Sequence, residues 1–146
     1  MKKEPKINAE EIHLLKIEVV SNKIDTAAFR RVSKPTLGIG HKVMHNLQDE
    51  RIKIALAISF LQSEEKPLME IQIDFHYYVK NLHSFYKLEE EHKPIFDGWM
   101  IATLLGIAVS TARGIIYEKL NANNIPNVII PVISPQTLLQ LNANPA

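Results

Sequence analysis

The chain has 146 residues, a formal net charge of +1 and no cysteine. This length fits one domain that buries a core without a stapling metal or disulfide, and the missing cysteines exclude disulfides and thiolate-bound metals. Lysine and arginine are spread along the chain, so the basic patch of a nucleic-acid-binding protein is missing and we expect no nucleic-acid partner.

The sequence predicts no targeting to a membrane. Its first residues, MKKEPKINAEE, lack the apolar core of a secretory signal. The most apolar stretch, Trp99–Ala112, is too short to span a bilayer. Together with the absence of cysteine, these features predict a cytoplasmic protein without membrane insertion.

The first half of the chain predicts a β-sheet over residues 8–80. A first strand lies at about residues 9–20, where the apolar positions change parity between Leu14 and Leu15, as a β-bulge would cause. Residues 21–35 are polar and basic and predict a connector. A weaker strand is expected at residues 36–46.

In two further segments, residues 52–61 and 70–80, large apolar residues occupy every second position, and the positions between them are mostly polar or small. This period of two is typical of strands with one buried face and one wetter face. The short polar QSEEKP segment between them predicts a hairpin, so the strands are antiparallel. The wetter face is left open to solvent or to a partner.

The second half predicts a cover for this sheet. Residues 82–94 are charged and read as a loop or the start of a helix. Asp97 can cap a long helix that ends near residue 121. Because this helix is apolar on more than one side, it is expected to pack on its own sheet and on a second subunit, unless residues 82–94 cover it. The candidate interface residues are Ile101, Leu105, Ile107, Val109 and Ile116.

Residues 125–133, IPNVIIPVI, are apolar and extended, because Pro126 and Pro131 forbid a helix or a central strand. Ser134 and Pro135 form a good start for a short last helix over residues 134–142. The predicted fold is therefore a single α+β domain: a four-stranded antiparallel sheet covered on one face by a long helix, an extended crossover loop and a C-terminal helix.

This order of elements resembles the SecB-like family of tetrameric export chaperones. Ser110-Thr111-Ala112-Arg113 takes the place of the family's PYAR-like stretch, and Pro126 falls at its loop proline. Residues 128–135 match the loop and cap, and Leu68-Met69-Glu70-Ile71 matches the family's L-C-E-V-like strand. The resemblance covers about residues 8–141 and is specific in the order of elements but loose in residue identity.

The resemblance implies an ATP-independent holdase that binds unfolded polypeptides or preproteins in an apolar groove. The groove would lie between the sheet, the crossover loop and the last helix, with a homo-oligomer, a dimer of dimers, as the assembly. Leu139 is an alternative to Leu141 in it. The implied groove residues are Ile12, Leu14, Ile17, Val128, Ile130, Val132, Ile133, Leu138 and Leu141.

The family docks the translocase motor SecA through an acidic sheet face, and Leu68 and Glu70 fall on the corresponding strand. This chain is near neutral, and Lys16 stands where the first strand usually carries an acid. Chaperone action is therefore better supported than SecA docking. Some relatives serve toxin–antitoxin pairs. The alternative is an assembly or ligand-binding domain, which would bury the apolar surface that a holdase leaves exposed.

No enzyme, cofactor or metal is expected. Asp74 and His76 share a strand face, but the sequence shows no third group to orient them. His41 and His45 lie in a strand, where their spacing does not converge on one metal ion. The glycines before Lys42 lack the spacing of a phosphate-binding loop.

Overall fold

A four-stranded antiparallel sheet forms the base of the molecule, as the computed structural model shows for residues 6–63 and 66–140. Its strands are β1 (Ile12–Ile24), β2 (Thr36–Asn46), β3 (Arg51–Ser63) and β4 (Lys66–Val79), in the spatial order β1–β4–β3–β2. The chain leaves β1 through the short helix α1 (Thr26–Arg30) and begins β2 at the opposite edge. β1 and β2 are therefore the two edge strands.

The predicted alternation in the two central strands is confirmed by the register. Ile54 of β3 lies opposite Phe75 of β4, and Leu56 lies opposite Ile73; all four side chains are buried. We call this buried side of the sheet its inner face. The other side, the outer face, carries the polar residues that alternate with them.

The predicted β-bulge is present in β1. The register with β4 shifts between Leu14 and Lys16, and a second, unpredicted shift lies between Val19 and Ser21. The second bulge lets the strand continue to Ile24, into the predicted connector, while a 3₁₀ turn at Ala9–Glu11 replaces the predicted strand start. With the two shifts, β1 places Leu14, Ile17, Val19 and Ile24 on the inner face, together with the polar Asn22.

The long helix α2 (Gly98–Ala122) covers the inner face. The Asp97 carboxylate accepts a hydrogen bond from the Met100 backbone N–H at 3.0 Å, which satisfies one of the free donors at the helix start. The phenol of Tyr77 in β4 donates to the Leu104 carbonyl at 2.9 Å and ties the helix to the sheet.

By length and composition α2 could cross a membrane. This corrects the prediction that the most apolar stretch of the chain, Trp99–Ala112, is too short to span a bilayer. Half of the most apolar 18 residues of α2 are buried inside the domain. A core helix passes the same test of length and hydropathy, and the packing of α2 on the sheet accounts for its apolar composition.

Residues 82–94 are more ordered than a solvated loop. Two 3₁₀ turns, Leu82–Phe85 and Glu90–His92, flank β5 (Tyr86–Leu88), which pairs with β6 (Pro94–Phe96) in a small second sheet. After α2 the chain crosses over without regular secondary structure to α3 (Pro135–Gln140). The Ser134 hydroxyl accepts from the Thr137 N–H at 3.2 Å, as its predicted capping role requires. Residues 141 and 142 of the predicted helix lie outside the described part of the chain.

Candidate functional site

The crossover, residues 125–133, is held along α2 by one side chain. The Arg113 guanidinium donates from Nε to the Ile130 carbonyl at 2.7 Å and from a terminal nitrogen to the Pro131 carbonyl at 3.0 Å. At its start, the Ile125 N–H donates to the Leu120 carbonyl at 2.8 Å. Ile125 and Ile130 are both buried in the core. These hydrogen bonds and buried side chains therefore hold the crossover in place on the surface of the domain.

Other apolar side chains of the crossover and of α3 point outward into solvent. An extended backbone sends neighbouring side chains to opposite sides, so Ile129 is exposed while Ile130 is buried. Val132 is 91% exposed, and Leu139 of α3 is exposed beside the buried Leu138. We call Ile129, Val132 and Leu139 the crossover strip.

A second apolar surface lies on the inner face of β1. Leu14, Ile17 and Val19 are 40%, 42% and 40% exposed. They pair across the strands with Tyr77, Phe75 and Ile73, which are wholly buried. The cover of the sheet thus ends at β4, and these three residues, the β1 strip, continue the core surface into solvent.

The free edge of β1 adds backbone groups to this surface. Within the described residues, β1 pairs only with β4. Its other edge presents unpaired N–H and C=O groups, and a long edge strand with exposed apolar side chains is a site at which another chain adds. The strip and the edge together suit an extended polypeptide.

The predicted groove residues that the structure describes fall into three groups. Leu14, Ile17 and Val132 are exposed, and Ile12, Val128 and Ile133 are half-buried. Ile130 and Leu138 are buried, so they support the surface from beneath, while Leu141 lies outside the described residues. The sequence reasoning missed Val19 and Ile129. The signals were present, because Val19 shares parity with Ile17 and Ile129 alternates with Ile130.

The predicted interface residues are mostly inside the domain. Ile101, Leu105, Val109 and Ile116 are buried within this one chain, and Ile107 is half-buried. Apolar residues all round a helix do not reveal which side meets its own sheet. The side of α2 that remains open is a stripe, here called the α2 stripe, of Trp99, Gly106, Ser110, Gly114 and Tyr117.

Over the described residues, the outer face of the sheet is not an acidic surface. Glu70 is exposed there between Ser59 and Lys23, its partners on the neighbouring strands, and Leu68 is buried. The register places three acids on this face, Glu18, Glu70 and Asp74. It also places there the bases Lys16, Lys23, Lys42, Arg51 and Lys53.

No protein-family model and no curated protein matches this sequence. Among solved structures, the chain is similar to the Mycobacterium tuberculosis Rv1957 SecB-like chaperone in complex with a ChAD peptide from the Rv1956 HigA1 antitoxin. The TM-score is 0.54 at 9% sequence identity, with 86% of this chain and 92% of that chain covered. A protein of unknown function from Streptococcus agalactiae matches with a TM-score of 0.48 at 12% identity, over 84% of this chain and 98% of that one. The first similarity shows that this chain has a SecB-like fold.

Proposed function

We propose that this protein is an ATP-independent chaperone that holds unfolded polypeptides on the β1 strip and the crossover strip. The observation that carries the proposal is the exposure of these apolar residues on a rigid domain. Val132 is 91% exposed on the crossover, which Arg113 holds in place. Such a residue contributes almost nothing to the core of its own chain. Leaving this apolar side chain in water costs free energy, and a client that covers the side chain explains why it is exposed.

The physics of such binding needs no chemical energy. Apolar surface removed from water contributes roughly 25 cal/mol per Å². Each strip is small, so one strip alone binds weakly. Several strips on one assembly raise the apparent affinity for a long client, because each further contact becomes intramolecular.

The chain has two unpartnered surfaces on which copies can assemble. The α2 stripe carries small residues, Gly106, Ser110 and Gly114, at helical spacing between Trp99 and Tyr117. No atom of the chain lies within 4 Å of a Cβ atom added at either glycine, which suits the close approach of a second helix. The second surface is the free edge of β2, which within the described residues pairs only with β3. Two different contacts are what a dimer of dimers needs.

The proposed clients are short apolar segments of proteins in the cytoplasm. The Mycobacterium tuberculosis structure shows a SecB-like chaperone with an antitoxin peptide, and a dedicated antitoxin client is the narrower form of this proposal. Preprotein export through SecA is the weaker form, because bases outnumber acids among the described residues that the strand register places on the outer face.

The proposal is tested by aggregation of a chemically unfolded client, followed by light scattering without ATP. The wild-type chain should suppress aggregation at stoichiometric amounts. The variant Ile17→Thr/Val19→Thr/Val132→Thr keeps β-branched side chains at all three positions and removes apolar surface from both strips. We expect it to lose at least half of the suppression with its circular dichroism and its mass unchanged.

The matched control is Ile95→Thr, which changes an exposed isoleucine on β6 that belongs to neither strip. It should suppress as the wild type does. If the triple variant also loses its oligomeric mass, the strips are a subunit interface and the chain is an assembly domain. If the wild type suppresses no aggregation of any of several clients, the chaperone proposal fails.

A further inference from the structure

Three metal-ligating side chains meet on the outer face of the sheet. Glu18 of β1 lies directly opposite Asp74 of β4, and His76 follows two residues later on the same face. One ligand atom from each of the three lies within 4.8 Å of the other two. The sequence predicts no metal here because Glu18 and Asp74 are far apart in the chain and only the pairing of β1 with β4 joins them.

The cluster leaves polar groups poorly satisfied. His76 Nε2 is buried and has no hydrogen-bond partner among the described residues; Glu18 Oε1, at 3.8 Å, is too distant for one. Asp74 is only 7% exposed, yet its nearest partners are Gln72 Nε2 at 3.4 Å and Lys53 Nζ at 3.8 Å. A buried imidazole nitrogen and a buried carboxylate with such long contacts are costly unless a further ligand completes them.

We propose that Glu18, Asp74 and His76 form a binding site for a divalent transition-metal ion, with Zn²⁺ as the best fit. One imidazole and two carboxylates are a donor set that zinc accepts, and three protein ligands leave one coordination position for water. Ligand atoms around tetrahedral zinc are about 3.3 Å apart, so the side chains must turn inward. Glu18 is free to do so, since nearly half of its side chain is exposed.

An ion can reach this site from solvent. The side chains of Glu18 and His76 are partly exposed, and His76 also lines a cavity of about 290 Å³ together with Met44 and Lys53. The bound ion would link the edge strand β1 to β4. It would lie on the face opposite the β1 strip, so it stabilises that strip without covering it.

Two lysines compete with the ion. Lys53 lies 3.8 Å from Asp74 Oδ2, and Lys16 lies 3.5 Å from Glu18 Oε2. Both ammonium groups neutralise charge that the metal would otherwise use. Removal of Lys53, the more buried of the two, should therefore tighten binding, an effect opposite to that of removing a ligand.

The test is a Zn²⁺ titration of the full chain, without a histidine tag, in competition with a chromophoric chelator. The wild type should bind one equivalent at this site. His76→Gln and Asp74→Asn should each weaken binding tenfold or more, since even the loss of a group behind a ligand costs about 10–100-fold. Lys53→Met should tighten binding several-fold. Mg²⁺, which prefers an all-oxygen site, should not compete.

The matched control is His92→Gln, which removes an exposed imidazole outside the cluster. It should bind Zn²⁺ as the wild type does. Thermal unfolding without metal shows that each variant is folded, and Zn²⁺ should raise the midpoint of the wild type but not of His76→Gln. The proposal is overturned if the wild type binds no Zn²⁺ at micromolar concentrations, or if folded His76→Gln and Asp74→Asn both bind it undiminished.

Discussion

Arg113 of α2 holds Ile130 of the crossover by a hydrogen bond of 2.7 Å from its Nε to the Ile130 carbonyl. This contact fixes the direction in which the neighbouring side chains point. Ile130 faces the core, so its neighbour Ile129 faces solvent, and Val132 is exposed beyond Pro131. One helix side chain thus binds the backbone of a proline-interrupted segment at the point where its side chains divide between the core and solvent.

The first prediction concerns this tether. Arg113→Lys keeps the charge but loses the planar fork that reaches two carbonyls at once. We expect a loss of about 1 kcal/mol in the free energy of unfolding, and faster cleavage of residues 125–133 by thermolysin, which cuts at bulky apolar residues. Arg31→Lys, at an exposed position in the connector, is the control. Equal cleavage rates for all three proteins would show that the crossover does not depend on Arg113.

The second prediction concerns the contact between sheet and helix. Tyr77→Phe removes the buried hydrogen bond to the Leu104 carbonyl and leaves the ring in place. We expect the free energy of unfolding, measured in urea at neutral pH, to fall by about 1 kcal/mol. Tyr117→Phe, on the exposed side of the same helix, should change it little. An unchanged stability for Tyr77→Phe would mean that packing alone positions α2.

The third prediction is the pH dependence of the same residue. Burial raises the pKa of Tyr77 well above its ordinary value of 10.0. Above pH 10 the unfolded chain loses this proton while the folded chain keeps it, so the native state loses stability as the pH rises. Relative to Tyr77→Phe, the stability of the wild type should fall by about 1.4 kcal/mol between pH 9 and pH 11, so that the variant becomes the more stable protein at pH 11. A difference that stays constant over this range contradicts the burial of the phenol.

The fourth prediction tests the α2 stripe as a subunit interface. Gly106→Leu/Gly114→Leu should be tolerated in one chain, because nothing lies within 4 Å of a Cβ atom added at either position. Each change should stabilise the isolated helix by roughly 1 kcal/mol. In an assembly, the larger side chains should block the close approach of helices and lower the mass in solution. The alanine variants at the same positions are the size control, and an unchanged mass for the leucine variant would exclude this face.

The central sheet is the part that the sequence predicts best. The pattern of residues 52–61 and 70–80 alone determines the two buried strands, because a period of two over ten residues has one reading. The bulge near Leu15 follows from the same argument. The partner strand of β1 does not follow from it, because no local pattern in the sequence indicates that β1 pairs with β4.

The site is predicted less well for a physical reason. Apolar residues mark both the core and a binding surface, and the sequence does not separate Ile130, which is buried, from Ile129, which is exposed. On α2 the same ambiguity assigned Leu105 and Val109 to an interface, whereas both pack inside the domain. The cluster of Glu18 with Asp74 and His76 was missed because it depends on long-range strand pairing.

The most direct test of the account is photocrosslinking to a radiolabelled unfolded client. A photoreactive phenylalanine derivative would replace Ile17, Val132 or, as the control, Ile95, one at a time. The account predicts strong client crosslinks from positions 17 and 132 and weak ones from position 95. Crosslinks of equal strength from all three positions, or crosslinks from 17 and 132 only to other copies of this chain, would contradict it.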